Sequence, residues 1–560
     1  MTRKFIAIAL LASATLQASA AERSEAQIRQ AASAALAKMP SAMAKVRSAQ
    51  PMRVLAKNTQ LTVMGYENGG FAIVANDDQF KPVFGYSDAQ FAADTNPGFN
   101  WYMQALNNAL EQAKLQGRRL EEVVPSAAYA AKVDELLKSR WGQDAPFNLK
   151  TPTYTDSKTG AEVHYVTGCV ATAMAMVMHY YKYPVHGEGS VAYDYSGGGK
   201  SYHLEADFGN TTYEWDKMLN EYKEGEYTQE QGNAVATLMQ HCGYSTRMQY
   251  DLTGSGTLIS EACEALRANF GFYSYTKYYV RNYFNVNEWM DIVYRELNDK
   301  CPIIYGGQST SGGHCFILDG YDSDGNVHVN WGWNGSSNGY FDIASLNGYN
   351  DGQEMVESRI ATDTRYTNEY RSLWVMTSSL EVNECDYDGY NLVANVPDGR
   401  FLNMDVDNFT GCFRFMARNT ATGEEYVIGT GRHMDDQPMR YYVSDADVFG
   451  STKNLPDGEY RVYLATESDD EWKLDAKPQP IRCHENYHNS YIITVNNHEI
   501  EDLEPDTDSS WTMTGINTIQ TTPLQSVATG VYSIDGRHLG NNIDRLSKGL
   551  YIVNGKKIVK

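Results

Sequence analysis

One stretch of the chain is small or apolar at every position: Gly168-Cys169-Val170-Ala171-Thr172-Ala173-Met174-Ala175-Met176-Val177-Met178. A helix that is apolar on all sides must be buried, so this stretch predicts a central helix with a cysteine in its first turn. A sulfur at that place faces unpaired backbone N–H groups and the positive end of the helix dipole, which both favour the thiolate. The alternative is an inert core cysteine. A single cysteine in a buried helix fits both interpretations.

A second segment places a histidine at the mouth of a predicted strand, Gly312-Gly313-His314-Cys315-Phe316-Ile317-Leu318-Asp319-Gly320-Tyr321. A turn at 322–326 and a second strand at 327–333 follow, and a hairpin of this length brings Asn330 and Trp331 back beside His314. We expect the Asn330 amide oxygen to accept from one imidazole nitrogen and leave the other facing the Cys169 thiol, which is the Cys-His-Asn arrangement of a thiol protease. We expect the ring of Trp331 to screen that contact from water.

These segments resemble the streptopain family of papain-like cysteine proteases, because the order Cys169, His314, Asn330-Trp331-Gly332-Trp333 matches that family. The stretch Trp141-Gly142-Gln143-Asp144-Ala145-Pro146-Phe147-Asn148 resembles its Trp-x-Gln-x-x-Pro-Tyr-Asn segment, with Phe147 in place of the tyrosine. The resemblance implies that Gln143 donates its side-chain amide, and Cys169 its backbone N–H, to the oxyanion. It covers 126–377 and extends more loosely to 50–117, where 70–88 resembles the inhibitory propeptide of the family.

The N-terminus has the form of a secretory signal peptide. Arg3 and Lys4 precede an apolar run from Phe5 to Leu16, and Ala18-Ser19-Ala20 has the small-x-small form of a cleavage site. The run is shorter than the roughly 20 apolar residues of a membrane span, and no later segment reaches that length. We therefore predict a signal peptide at 1–20 and an inhibitory propeptide at 21–125, with a hairpin on either side of 67–69 and a helix from Trp101 to Gln116.

The C-terminal third reads as β-structure. Short apolar runs separated by Pro-Asp-Gly turns at 397–399 and 456–458 predict a β-sandwich at 378–498, followed by an acidic and polar linker at 499–526. The last unit, 527–560, resembles the sorting domain that carries Bacteroidetes proteins through the type IX secretion system. That resemblance rests on Gly530–Arg537 and Lys548–Lys560, and it implies export through the periplasm and across the outer membrane to the cell surface or the medium.

The composition excludes other classes. The 560 residues include 47 Lys plus Arg against 70 Asp plus Glu, a net charge of −23 that argues against a nucleic-acid partner.

Two segments resemble ligand-binding motifs but are incomplete. The segment Gly197-Gly198-Gly199-Lys200-Ser201 lacks the first glycine of a phosphate loop, since that position is Asp194. The turn that begins at Asp322 lacks the closing glutamate of a calcium loop, since that position is Trp333. The sequence predicts no cofactor and no metal.

The sequence thus predicts an α+β protein: a papain-like catalytic domain at 126–377, preceded by an α+β propeptide and followed by a β-sandwich and a small β sorting domain. It predicts a secreted cysteine endopeptidase made as a self-inhibited zymogen. The expected partners are protein or peptide substrates, its own propeptide as inhibitor and the type IX secretion machinery. The alternative is a catalytically inactive papain-fold adhesin or protease inhibitor.

Overall fold

The computed structural model describes residues 21–39 and 50–508, apart from short gaps, and four strands between residues 531 and 559. The gaps lie at 68, 93–94, 121, 198, 253, 275, 310–311, 347–351, 363–371, 386–387, 445 and 472–476. The predicted signal peptide, 1–20, lies outside the described residues, as does most of the predicted linker.

Among its described residues, the N-terminal unit combines two helices with a four-stranded meander. Its elements are α1 (Glu25–Leu36), β1 (Arg53–Lys57), β2 (Leu61–Gly65), β3 (Phe71–Ala75), β4 (Val83–Ser87) and α2 (Pro97–Leu115). Strands β2 and β3 form the predicted hairpin. Helix α2 begins four residues before Trp101, because Asn96 accepts a hydrogen bond from the Phe99 N–H at 3.0 Å and Pro97 occupies the first turn.

The described part of the central segment contains four α-helices and ten strands. They are β5 (Thr153–Thr155), β6 (Glu162–His164), α3 (Cys169–Tyr181), β7 (Ser190–Gly197), β8 (Lys200–Asp207), α4 (Gln229–Ser245), α5 (Ile259–Asn269), β9 (Tyr278–Val280), α6 (Val286–Asn298), β10 (Ile303–Ser309), β11 (Gly312–Tyr321), β12 (Val327–Asn330), β13 (Gly339–Phe341) and β14 (Glu354–Val356). Helix α3 is the apolar stretch, and Val170 to Met178 are all buried, as its composition predicts.

One sheet joins the N-terminal unit to the central segment. Among the described strands its order is β1-β2-β3-β4-β13-β12-β11-β10-β14-β9, and the junction is the pairing of Tyr86 with Tyr340 and of Gly85 with Phe341. Successive residues of a strand point to opposite faces. Phe316 and Leu318 of β11 therefore pack in the same core as helix α2, whereas Cys315 and Ile317 pack with helix α3.

Two further sheets share a core at 374–505. Their strands are β15 (Trp374–Met376), β16 (Glu381–Glu384), β17 (Asn391–Asn395), β18 (Phe401–Asn403), β19 (Phe409–Asn419), β20 (Glu425–Gln437), β21 (Tyr442–Val443), β22 (Val448–Ser451), β23 (Gly458–Ser468), β24 (Gln479–Pro480), β25 (Arg482–Cys483), β26 (Ser490–Asn496) and β27 (Glu499–Pro505). The backbone of the C-terminal unit forms a separate sheet of β28 (Val531–Ser533), β29 (His538–Gly540), β30 (Leu550–Val553) and β31 (Lys556–Val559).

The sandwich extends beyond both of its predicted ends. Strand β15 lies inside the segment predicted as catalytic, yet it pairs with β18 and β25, and Trp374 and Met376 point into the sandwich core. Strand β27 occupies the start of the predicted linker, where it pairs along β26. Its acidic side chains stay largely exposed, which explains why the segment resembles a linker in sequence. No helix among the described residues combines the length and apolar character needed to cross a membrane.

Candidate active site

Cys169 is the first residue of helix α3, and its half-buried side chain stands at the N-terminal end of that helix. Gly168 precedes it with a φ of +86°, a left-handed conformation that favours glycine, and a Cβ there would lie 2.8 Å from the Met248 Cε. The backbone N–H groups of Cys315 and Val170 act on the sulfur and lower the pKa of its thiol. The nucleophile predicted from the sequence therefore lies where backbone donors converge.

His314 of β11 meets Cys169 with its side chain, so the structure brings these two predicted residues together. The His314 Nε2 lies 3.0 Å from the Trp331 carbonyl oxygen and 3.1 Å from the Trp333 Nε1. A protonated Nε2 donates to that carbonyl, whereas an unprotonated Nε2 accepts from the Trp333 N–H. Since Nε2 is engaged in either state, Nδ1 is the nitrogen available to the thiol.

The two side chains shift each other's pKa. Burial alone raises the pKa of the Cys169 thiol, but the hydrogen bond and charge of His314, together with the two backbone N–H groups, outweigh it and hold that pKa below its usual range. Burial alone lowers the pKa of His314, but the interaction with Cys169 and the Trp331 carbonyl outweigh it and raise that pKa. Shifts in these directions favour a thiolate and imidazolium ion pair.

The prediction for Asn330 is wrong in its geometry. Asn330 pairs with Ile317, and a bulge between Leu318 and Gly320 shifts the register by one residue, which turns the Asn330 side chain to the face of β11 opposite to that of His314. Its amide nitrogen donates to the Ser139 carbonyl at 2.9 Å, and its amide oxygen accepts from the Gly332 N–H at 3.2 Å. The main-chain carbonyl of Trp331 occupies the place beside the imidazole that was predicted for the Asn330 amide oxygen.

The screening role predicted for Trp331 stays a prediction. Its ring is fully buried in the core shared with helix α2, against Phe99 and Phe316, and its indole N–H donates to the Ser337 carbonyl at 2.9 Å. The indole that hydrogen-bonds His314 is that of Trp333, with a ring-centroid separation of 6.1 Å. Trp333 is the residue that sequence reasoning missed, although it ends the Asn-Trp-Gly-Trp run that was singled out.

Gln143 lies beside the nucleophile loop. Its backbone carbonyl accepts from the Thr167 N–H at 3.1 Å, two residues before Cys169, and the residue is 9% exposed. Two residues earlier in the chain, the Trp141 carbonyl accepts from the Asn334 N–H at 3.0 Å. These two bonds attach the Gln143 segment both to the loop that carries Cys169 and to the loop that carries Trp333.

Cys315 adjoins His314 but does not compete for the role of nucleophile. It is buried beneath helix α3, on the face of β11 opposite to Phe316. Burial, followed by the negative charge of Cys169, raises the pKa of its thiol well above the usual range. A buried neutral thiol of this kind is unreactive.

Comparison with known proteins identifies the segment that carries this site. The model of the Peptidase C10 family matches residues 141–341. Streptopain from Streptococcus pyogenes is 30% identical over 346 residues, which cover 58% of this chain and 86% of streptopain. The chain belongs to the Peptidase C10 family. It is a papain-like cysteine endopeptidase with the zymogen organisation of that family.

Two further C10 relatives agree with this assignment. The thiol protease/hemagglutinin PrtT of Porphyromonas gingivalis is 32% identical over 315 residues, which cover 52% of this chain but only 36% of that longer protein. The solved structure of a prointerpain A fragment from Prevotella intermedia is 40% identical with a TM-score of 0.51, and the match covers 55% of this chain and 97% of the fragment. The match to the family model ends at residue 341, before the first strand of the sandwich.

Proposed function

We propose that this chain is a secreted cysteine endopeptidase, made as a self-inhibited zymogen, in which Cys169 is the nucleophile and His314 the general acid and base. The observation that carries the proposal is the pairing of a thiol at the N-terminus of a buried helix with an imidazole whose pKa is shifted in the opposite direction. The Cys169 thiolate attacks the peptide carbonyl carbon, and His314 gives its proton to the departing amine. His314 then takes a proton from the water that hydrolyses the thioester.

Other residues assist each step. The backbone N–H of Cys169 and the side-chain amide of Gln143 donate to the oxyanion, a role supported by the place of Gln143 beside the nucleophile loop. The Trp331 carbonyl accepts from the Nε2–H of His314 while the ring exchanges protons at Nδ1, and the Trp333 indole holds the ring in place when Nε2 is unprotonated. Asn330 holds the turn between Trp331 and Trp333 in place through its hydrogen bonds with Ser139 and Gly332.

The propeptide, 21–125, inhibits by filling the space over His314. Gly98, in the first turn of α2, lies so close that a Cβ there would overlap the His314 ring and lie 3.0 Å from the Trp331 ring. The indole of Trp101 covers Gly307 and donates to the Gln308 carbonyl at 2.8 Å. A substrate backbone has no room beside His314 until this helix leaves.

The connection between the propeptide and the catalytic segment supports removal by cleavage. Ala127, Ala128, Ala131 and Lys132 are exposed, whereas Val133 is buried and pairs with Tyr321 at the far end of β11. Tyr321 lies seven residues along the strand from His314, which is about 23 Å. Because the connection lies at the other end of the strand, the first cut in 126–132 is made by a second molecule.

Export is the part of the proposal that rests on the sequence. The signal peptide at 1–20 directs the chain to the periplasm, and the unit at 527–560 directs it through the type IX machinery to the cell surface or medium, where it cleaves extracellular proteins. A chain that ends at Asp508 keeps the contacts of Asp506 and Asp508 with Arg461. Such a chain should be active in lysate yet remain in the periplasm of the native host, and normal export would refute the sorting role.

The Cys169→Ala variant tests the proposed chemistry. It should show no hydrolysis of casein and no labelling by the epoxide E-64, and it should accumulate at full precursor length because self-processing is lost. Active wild type added in trans should process it. Retained hydrolysis or labelling would overturn the assignment of the nucleophile, and normal processing of the variant alone would show that another protease makes the cut.

A further inference from the structure

Three positions lie in a row on the sheet face that carries the nucleophile. Gly306 of β10 pairs with Cys315 of β11 on one side and with Glu354 of β14 on the other. Directly paired residues of neighbouring strands project to the same face of a sheet. Cys315 packs beneath helix α3, and its backbone N–H acts on the Cys169 thiol and lowers the pKa of that thiol. The row therefore leads from the nucleophile to a carboxylate.

The middle of the row is an apolar floor. Gly306 has no side chain, and the Cδ1 of Ile259 occupies the space where its Cβ would be. Ile259 is the first residue of helix α5 and is itself only half-buried. A substrate side chain that extends from the scissile bond along this row crosses Ile259 before it reaches Glu354.

Glu354 has one neutral hydrogen-bond partner and no close cation. The side chain is half-buried and hydrogen-bonds the Tyr278 hydroxyl. Among the described residues, no lysine, arginine or histidine nitrogen lies within 4.0 Å of its oxygens. Burial raises the pKa of Glu354 above its usual range, against the hydrogen bond from Tyr278 and the more distant charge of Arg440. A carboxylate in this state gains strongly from an incoming cation that also donates hydrogen bonds.

We propose that Glu354 is a specificity-determining residue that ends a substrate subsite beside Cys169 and selects a lysine or arginine side chain there. The long aliphatic stem of such a side chain covers Ile259 while its charged head meets the carboxylate. The inference rests on the proposed function, because it names the substrate class of the same site.

The β-sandwich adjusts this preference through Arg440. The Arg440 Nη2 donates to the Ser260 Oγ at 2.6 Å, at the first turn of helix α5, and its charge acts on Glu354 and on Glu264. A fixed cation at the rim repels a basic substrate side chain and weakens its attraction to Glu354. The sandwich is thereby a part of substrate recognition.

Kinetics on a peptide panel test the proposal with the processed full chain. Each fluorogenic peptide carries lysine, arginine or norleucine at one of the four residues before the scissile bond. We expect wild type to favour the basic side chains over norleucine at one position by about tenfold in kcat/KM. Glu354→Gln, which keeps the Tyr278 hydrogen bond, should abolish the preference, and Arg440→Gln should increase it by about threefold. Glu264→Gln removes an exposed carboxylate near the same arginine but outside the row, and it should change nothing.

Titration of active sites with E-64 separates the two proposals. Because the readout is a ratio between substrates, a partly folded variant still reports its preference. An unchanged preference in Glu354→Gln, or no basic preference at any position in an enzyme that E-64 titrates fully, overturns the role of Glu354 and leaves the proposed function intact. Wild type that neither cleaves any peptide nor reacts with E-64 overturns both.

Discussion

The catalytic segment contacts the propeptide and the β-sandwich in different ways. At the active site the propeptide contact is apolar and aromatic, with Phe99 against Trp331 and Trp101 against Phe316. The sandwich is attached away from His314 through charged groups, among which Lys277 and Asp405 form an ion pair of 2.7 Å with side chains 7% and 2% exposed.

Further ion pairs join the catalytic segment to the sandwich. Arg267 pairs with Asp407, and Arg482 pairs with Glu288 at 3.2 Å while it covers the Phe284 ring. The propeptide also forms ion pairs, Lys38 with Asp324 and Lys81 with Asp342, and the Lys81 pair is about as buried as the Arg267 pair. Separating apolar surfaces exposes them to water, whereas separating a buried ion pair also leaves each charge without its partner. We expect the propeptide, which covers His314, to be the neighbour that leaves on activation and the sandwich to be the one that stays.

The largest effect is expected from weakening the propeptide contact. Trp101→Ala removes a buried indole, and such truncations cost about 3 to 5 kcal/mol. The fraction of precursor whose active site is open should therefore rise by a factor of about 100 or more. The measurement is the rate at which E-64 labels the precursor band before any processing. Leu115→Ala, on the same helix but 76% exposed, is the control and should stay latent. Equal labelling of both precursors would show that α2 is not the inhibitory element.

A break in the sandwich contact should instead lower stability. Lys277→Met leaves Asp405 buried without its partner, which costs about 3 to 5 kcal/mol of the free energy of unfolding. Urea denaturation of the full chain measures this, and latency of the precursor should be unchanged. The double variant Lys277→Met with Asp405→Leu should recover most of the loss. If Lys277→Met alone activated the precursor, the sandwich contact would control latency as well as stability, which contradicts the account.

The pH dependence of alkylation sharpens the comparison at the nucleophile. Because the pKa of Cys169 is lowered, iodoacetamide should react with the processed enzyme at pH values where an ordinary thiol, of pKa about 8.5, is protonated. In His314→Gln the lowering contributions of the imidazole are lost while burial still raises the pKa, so the inflection should move to higher pH. Loss of the C-terminal unit should not move it. An inflection that is the same with and without His314 would contradict the ion pair.

The smallest effect is expected at Trp333. Trp333→Phe keeps an aromatic ring beside His314 but removes the N–H donor, and a single hydrogen bond of about 1 kcal/mol corresponds to about fivefold in kcat/KM. Steady-state kinetics of the processed enzyme measure it. Trp215→Phe, whose indole donates to the Pro184 carbonyl, removes an indole N–H elsewhere and should leave kcat/KM unchanged. Equal losses in both variants would mean that the effect at Trp333 is one of general packing.

Features that depend on local sequence were predicted well. The buried helix of Cys169 follows from eleven successive small or apolar residues, and the β2–β3 hairpin from a turn between two apolar runs. Asn330 was misplaced because its position depends on a bulge at Gly320, where the Val133 carbonyl comes within 2.7 Å of the place a Cβ would take. Val133 is almost 190 residues away, and no local pattern records that approach. The position of Glu354 near the active site could not be predicted from the sequence either, because only the sheet order places β14 beside β10.

The mass of the active species tests the central claim most directly. Wild type is allowed to process itself, is labelled with E-64, and is analysed by intact-mass and peptide mass spectrometry. The account predicts one label on Cys169, an N-terminus created within 126–132, and retention of the sandwich through residue 505. A label on another cysteine, an active species that retains helix α2 over His314, or a fully active species that ends before Trp374 would contradict it.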